Sequence, residues 1–431
     1  MRHTFTPARS LLVRRRMVSG DCVDVGTLAQ NRQGVFFQYD RNYLSHGHDL
    51  SPFKLAFDDT LQPAPRTPHA GLHGLFADSL PDGWGLLLMD RVFRRQGILP
   101  AQLTAMDRLA YIGDRGMGAL VFQPVSELAP KDGEHTIDLA ALGSEAVEVF
   151  EGQTNEVLLE LAQAGSSGGA RPKAQIYRGP EGFDTVTTLP APGREPWLVK
   201  FTAASLALGH EESVCEAAYL TLAKQAGISV PEWELIPAPE ASGAIAWLAL
   251  KRFDCSGGPS YSGRYHLHSA CGLLDADFRT PSLDYEDLIK ATQMLCKSMQ
   301  AAREQLRRAL FNLFAVNQDD HSKNWSFLMD EQGDWYPAPF YDPTFSPGPH
   351  GEHATAYQGH GKAPPRRAIE AIAAHAGYRA WPEARRLVEQ VVDAIAGWDR
   401  EAKALGVSTG TRKLIARQLD QIRKDNQQLL R

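Results

Sequence analysis

One stretch, from Leu310 to Asp342, limits the fold of this chain more tightly than any other. Leu310-Phe311-Asn312-Leu313-Phe314-Ala315-Val316 reads as the end of a buried helix. It runs straight into the polar segment Asn317-Gln318-Asp319-Asp320-His321-Ser322-Lys323-Asn324. Ser326-Phe327-Leu328-Met329 then reads as a strand and Asp330–Gly333 as a turn, with a second strand expected to end at Asp342. A helix, a loop and a hairpin in this order would return Asp342 toward Asp319 and Asn324.

The spacing carries chemistry. Asp319 is followed by four residues and then Asn324, and Asp342 comes eighteen residues after that. Phosphoryl transfer needs a carboxylate to accept a hydroxyl proton and oxygen ligands to hold Mg²⁺ on nucleotide phosphates. Asp319 is therefore the candidate base, and Asn324 and Asp342 are the candidate metal ligands. The alternative is a loop whose acids and amides only cap helices and turns. Within the loop, Lys323 is placed to neutralise a transferring phosphate and His321 to orient Asp319 or a strand carbonyl. A purely structural hydrogen bond would equally account for His321.

Three further segments bear on the same chemistry. In Gly165–Ala174, adjacent glycines Gly168 and Gly169 would let backbone N–H groups approach phosphate oxygens, and Lys173 adds charge. The segment fits neither common phosphate-loop pattern, and a flexible surface loop is the plain alternative. Lys200 lies between Val199 and Phe201 on an apolar strand, where an unpaired ammonium is costly. Glu216, on the apolar side of the following helix, is its candidate partner, as in the Lys–Glu pair of kinases. An edge-strand lysine reaching solvent is the alternative. Lys251-Arg252-Phe253 ends another apolar strand, where a connector would offer backbone to an adenine ring or simply be a solvated strand end.

Strand-like runs dominate the early chain and helices dominate from 284 onward, which predicts an α+β, protein-kinase-like, two-lobed fold. A small, mainly β N-terminal subdomain is expected over 1–130, a nucleotide-lobe region over 131–255 and a helical lobe over 256–431. Helices are expected at 138–163, 211–226, 367–376, 383–404 and 411–429, and strands at 196–201, 232–237 and 245–252. With 45 Lys and Arg against 51 Asp and Glu, the net charge of −6 gives no general footprint for nucleic acid. There is no bilayer-length apolar run, and no apolar segment follows Arg14-Arg15-Arg16 to form a secretory signal. The five cysteines are scattered without a Cys-x-x-Cys, so a reduced cytoplasm is the expected setting.

Taken together and in order, these segments resemble the HipA family of bacterial serine/threonine kinases, the toxins of type II toxin–antitoxin modules. The resemblance spans nearly the whole chain. At the N-terminus it rests on Val25-Gly26-Thr27-Leu28, Leu44-Ser45 and Leu75-Phe76-Ala77-Asp78-Ser79-Leu80-Pro81-Asp82-Gly83-Trp84-Gly85. In the core it rests on Ser166-Ser167-Gly168-Gly169-Ala170-Arg171-Pro172-Lys173, Leu198-Val199-Lys200-Phe201, Arg252-Phe253-Asp254, the Asp319–Asn324 loop and Pro339-Phe340-Tyr341-Asp342. It implies ATP and Mg²⁺ as cofactors, Asp319 as proton acceptor, Asn324 and Asp342 on the metal, and Lys200 on the phosphates. It also implies that Ser167, Gly168, Gly169, Ala170, Arg171 and Lys173 cover the phosphates and that Lys251, Arg252 and Phe253 line the adenine site. Ser166, with Ser167 as neighbour, matches the serine whose autophosphorylation silences such kinases. The implied substrates are aminoacyl-tRNA synthetases, and the implied partner is an HTH antitoxin that alone touches DNA. The chain departs from the best-known members at Arg171-Pro172 and in the Gly-, Pro- and His-rich stretch Ser346–Pro365. Two other classes compete: a kinase-like binding module of a repressor complex, and a metal-dependent nuclease using the same acids and His321.

Overall fold

The computed structural model describes residues 5–130, 136–154, 161, 168–256 and 261–431. The early strands form an antiparallel sheet from β1 (Ser10–Arg16), β2 (Cys22–Gln30), β3 (Val35–Tyr39), β4 (Gln62–Pro63) and β5 (Leu120–Gln123), in the order β4-β3-β2-β1-β5. Leu11, Val13, Val25, Leu28 and Phe37 share a core with Leu75, Phe76, Met106 and Leu109 from helices on that sheet. The next inward residue of β1 is a charge, Arg15, and its buried guanidinium donates to the Asp330 carbonyl at 2.7 Å. The first sheet thus rests on the turn of the hairpin foreseen after the Asp/Asn loop.

A second antiparallel sheet contains β6 (Lys173–Gly179), β7 (Gly182–Thr187), β8 (Glu195–Lys200), β9 (Trp233–Pro237) and β10 (Ala246–Lys251), in the order β7-β6-β8-β10-β9. Side chains alternate across its faces. Ala174, Ile176, Trp197, Val199, Trp247 and Ala249 meet the helix Leu139–Phe150 on one face. On the other face, Leu248 and Leu250 meet Ala217 and Leu220 of the helix Glu212–Gln225. Lys173 and Lys200 are direct cross-strand partners, and Lys200 in turn faces Leu248.

The remaining chain is mostly helical. Helices at Tyr285–Cys296, Met299–Ala315, Arg366–His375, Trp381–Ile395, Trp398–Ala404 and Thr409–Asp425 share one core with the Glu212–Gln225 helix. Short strands are set into this lobe. β11 (His266–Ser269) pairs with β13 (Ser326–Met329), which pairs with β14 (Trp335–Pro337). β12 (Leu283–Asp284) lies parallel to β15 (Thr355–Ala356).

The mixed α/β, kinase-like arrangement agrees with the expectation from the sequence, with local differences. Of the helix predicted over 138–163, the first part stands as Leu139–Phe150 and is followed by a turn in which Gly152 takes a positive φ of 73°; apart from Leu161, residues 155–163 lie outside the described residues. The predicted 383–404 helix is two helices, broken at Ala396–Gly397. The strand after the hairpin turn stops at Pro337, short of Asp342.

Candidate active site

The helix Met299–Ala315 delivers the Asp/Asn loop. Its C-cap, Val316, has left-handed backbone with φ 55°, which ends the helix and turns the chain toward the second sheet. Ser346 then fixes the loop from the far side. Its Oγ donates to Asn317 Oδ1 at 3.0 Å and accepts from the Asp319 N–H at 3.3 Å. Asn324 donates through Nδ2 to the Asp319 carbonyl at 2.7 Å, so the two ends of the motif are tied together.

The described candidates, apart from Glu216, all line one cavity of about 650 Å³. They are Gly168, Gly169, Ala170, Arg171, Lys173, Lys200, Lys251, Arg252, Phe253, Asp319, His321, Lys323, Asn324 and Asp342. Ser166 and Ser167 lie outside the described residues. The cavity lies between the second sheet and the Asp/Asn loop, with a third wall from Asp78–Gly83 and Met117–Leu120 of the N-terminal segment.

Lys200 stands on the central strand β8 and is buried, which excludes the solvent-reaching edge lysine. Its Nζ donates to Glu216 Oε1 at 2.5 Å and also contacts Asp342 Oδ1. Burial would lower the Lys200 ammonium, but Asp342 and Glu216 outweigh it and hold its pKa above the ordinary lysine value. Burial pushes the Glu216 carboxyl up, against the pull of Lys200. Burial also works against charge on Asp342, yet Lys200, Lys173 and Arg171 hold its carboxyl well below the usual range. Asp342 itself has left-handed backbone, φ 57°. Arg171 completes the cluster, with Nη1 3.2 Å from Glu212 and 3.8 Å from Glu216.

Lys173 is also buried, and its Nζ donates to the Gly168 carbonyl at 2.7 Å. Burial, helped by the like charge of Lys200, brings its pKa down to about 8. Two lysines directly opposite on one sheet face repel one another. The cluster therefore sets Lys173, Lys200 and Arg171 among the carboxylates of Glu212, Glu216 and Asp342, with Lys173 the cation that lacks a carboxylate in an ion pair among the described residues.

Asp319 is exposed on the cavity wall, where loss of water pushes its carboxyl up against the opposing pull of His321 and Arg171. Of the roles open to His321, a direct hydrogen bond to Asp319 is not formed. Its Nε2 is 3.9 Å from Asp319 Oδ1, an ion-pair distance beyond hydrogen-bond range, and its ring packs on Phe278. The side chains of Lys251 and Arg252 are engaged away from any ligand. Lys251 pairs with Glu195 at 2.8 Å, and buried Arg252 grips Asp254 with contacts of 3.0 and 2.6 Å. Both residues line the cavity with their charged ends already paired. Phe253 stacks on Tyr341, with centroids 5.6 Å apart.

Sequence reasoning missed the N-terminal contribution. Asp82, which stands in the sequence only within the Leu75–Gly85 run, accepts hydrogen bonds from Lys323 at 2.5 Å and from the backbone N–H of Gly169. Asp78 receives His268 Nδ1 at 2.5 Å and Ser269 Oγ at 2.6 Å. His268 Nε2 in turn lies 3.0 Å from Ser51 Oγ. This serine–histidine–aspartate series is structural, because Ser51 and His268 are both fully buried. The sequence signal for Asp82 was the Pro-Asp-Gly turn, which marks a bend but not what the bend touches.

The sheet with its Lys–Glu pair, set over a helical lobe with an Asp/Asn loop, defines a protein-kinase-like protein. The HipA-like C-terminal domain model matches residues 165–398 and the HipA N-terminal domain model matches residues 17–123. The chain belongs to the HipA family. It is similar in fold to a chain of the solved toxin–antitoxin complex of HipA, HipB and operator DNA from Shewanella oneidensis MR-1, with TM-score 0.68 and 20% identity over 97% of this chain and 96% of that one. The Helicobacter pylori proinflammatory kinase CtkA matches with TM-score 0.34 and 12% identity over 55% of this chain and 90% of that one, too remote to bear on the argument. Comparison with curated proteins gave no match. No helix among the described residues is long and apolar enough to cross a membrane.

Proposed function

We propose that this chain is an ATP- and Mg²⁺-dependent protein serine/threonine kinase, acting as the growth-inhibiting toxin of a toxin–antitoxin system. One observation carries the reading: Asp319, Asn324 and Asp342 share a cavity with Lys200, whose ammonium is paired with Glu216 behind the wall. The site also fits the cofactors. Two buried lysines face each other on one sheet surface, a costly arrangement that a polyphosphate would relieve. Asp342 and Asn324 are hard oxygen donors, and Mg²⁺ is commonly held by one or two protein oxygens completed by phosphates and water.

Bound MgATP would supply the phosphoryl group and the cation that offsets its charge. Lys200, held in place by Glu216, would bind phosphate, and Lys173, Arg171 and the Gly168–Gly169 backbone would cover it. Asn324 donates Nδ2 to the Asp319 carbonyl, and its Oδ1 would remain to hold Mg²⁺. Asp319 would accept the proton of a substrate serine or threonine hydroxyl at a carboxylate oxygen.

Family membership, and the HipA–HipB–operator assembly of the structural neighbour, support an HTH antitoxin as partner, with DNA reached through it. The aminoacyl-tRNA synthetase substrate and the autophosphorylation of Ser166 or Ser167 rest on the family resemblance. Incubation of the purified protein with ATP and Mg²⁺, followed by mass spectrometry, tests the reading. Phosphate on a serine, lost in Asp319→Ala, is the expected result. Absence of nucleotide binding alongside retained partner binding would instead favour a kinase-like binding module.

A further inference from the structure

The kinase reading leaves one charged contact without a role. Asp82 occupies the N-cap of the helix Gly83–Arg95, the usual place for a carboxylate that bonds its own helix, yet its side chain makes no such bond. Its two oxygens go elsewhere. Oδ1 accepts the backbone N–H of Gly169 in the phosphate loop, and Oδ2 accepts Lys323 Nζ of the catalytic loop at 2.5 Å. The residues beside it grip the same loop. The Trp84 N–H donates to the Gly169 carbonyl at 3.0 Å, and its indole Nε1–H donates to the Lys173 carbonyl at 2.8 Å. Gly83 has φ 42°, and a Cβ there would meet the Ala170 Cα at 2.7 Å and the Gly169 carbonyl oxygen at 2.8 Å, so only glycine allows this approach.

A loop with two adjacent glycines has little of its own to hold a conformation. Here the hold comes from residues 82–84. The same carboxylate also fixes the lysine that would meet the transferring phosphate. Resting on the kinase reading, we infer that Asp82 is a positioning residue that ties the phosphate loop to the catalytic loop, so that the N-terminal segment sets the geometry of nucleotide binding from within the same chain. The chemistry calls for a carboxylate. Both of its oxygens accept, matching one N–H and one ammonium, whereas an amide would turn an NH₂ group toward one of those two donors.

The test uses the full chain, with Asp82→Asn as the volume-preserving variant and Asp82→Ala as the deletion. Two quantities are read: hydrogen exchange of the 168–174 backbone without ligand, and calorimetric affinity for ATP with Mg²⁺. Both variants are expected to speed exchange in that segment alone and to weaken ATP binding roughly tenfold or more, the scale of a lost charge-assisted hydrogen bond. Lys323→Met is expected to weaken binding as well, and adding Asp82→Asn to it should do less than the two separate losses combined. Wild-type exchange and affinity in Asp82→Asn would overturn the inference, as would tighter ATP binding, which would make the contact inhibitory. If the wild-type protein bound no nucleotide, the kinase reading would fall, while the exchange measurement would still decide whether Asp82 orders the loop.

Discussion

Lys173 and Lys200 face each other on one sheet surface with very different electrostatics. Lys200 has two carboxylates in contact and stays charged, whereas among the described residues Lys173 has only the Gly168 carbonyl within hydrogen-bond reach, and burial brings its pKa to about 8. Near pH 8 about half of the free protein carries a neutral Lys173. Anionic phosphates favour its charged form, so nucleotide binding at pH 8 is expected to take up protons. Calorimetry in buffers of different ionisation enthalpy would read that uptake, which Lys173→Met should abolish. The sign for folding is the reverse. Because the folded pKa lies below the unfolded one, the unfolded chain binds more protons between about pH 8 and 10.5, so this lysine's contribution to stability rises with pH across that window. At this scale the sequence was informative wherever a residue broke its local pattern: Lys200 on an apolar strand, or the acids of the Asp/Asn loop. It was silent on Asp82, whose partners lie 87 and 241 residues away. It left the role of His321 open, since a spacing of two residues says nothing about how far apart two side chains point.

Among elements, the stretch after Asp342 gains a purpose that its composition did not show. Ser346–Pro365 lies within the matched C-terminal domain, and its first part straps the Asp/Asn loop. Gln318 N–H donates to the Ser346 carbonyl at 3.0 Å, Gly348 N–H to Gln318 Oε1 at 2.8 Å, and Ala354 N–H to the Gln318 carbonyl at 3.1 Å. Beneath it, the fully buried Asp320 receives His353 Nδ1 at 2.8 Å, the Thr355 N–H at 3.1 Å and the Tyr285 hydroxyl. Asp320→Ala strands all three donors away from water and is expected to cost about 3 kcal/mol, measured by urea unfolding. Elements with a strong period and clear stops were legible, such as the helix Glu212–Gln225 and strands β8 to β10. β6 and β7 were not anticipated, because they follow a Gly-rich loop and carry polar residues, and their place in the sheet comes from pairing with β8 and with each other.

For the whole molecule, the N-terminal segment is not an appendage but one wall of the cavity. Arg252 and Asp254 rivet it to the second sheet. Asp254 Oδ2 accepts the Gly118 N–H at 2.7 Å, and Arg252 Nη2 donates to the Gly116 carbonyl at 3.3 Å. Arg252→Ala would leave Asp254 buried beside one remaining cation, Arg264, and is expected to cost roughly 3–5 kcal/mol, read as a lower unfolding midpoint. The two-lobed plan was legible from the order of strands and helices. The packing of the first lobe against the site was not, because it depends on contacts between distant parts of the chain. That arrangement also imposes an order on biosynthesis. The first sheet can close once β5 has paired with β1, whereas Asp342 emerges from the ribosome much later. A nascent chain that stalls in between would carry the residues that hold the 168–174 segment, but not Asp342.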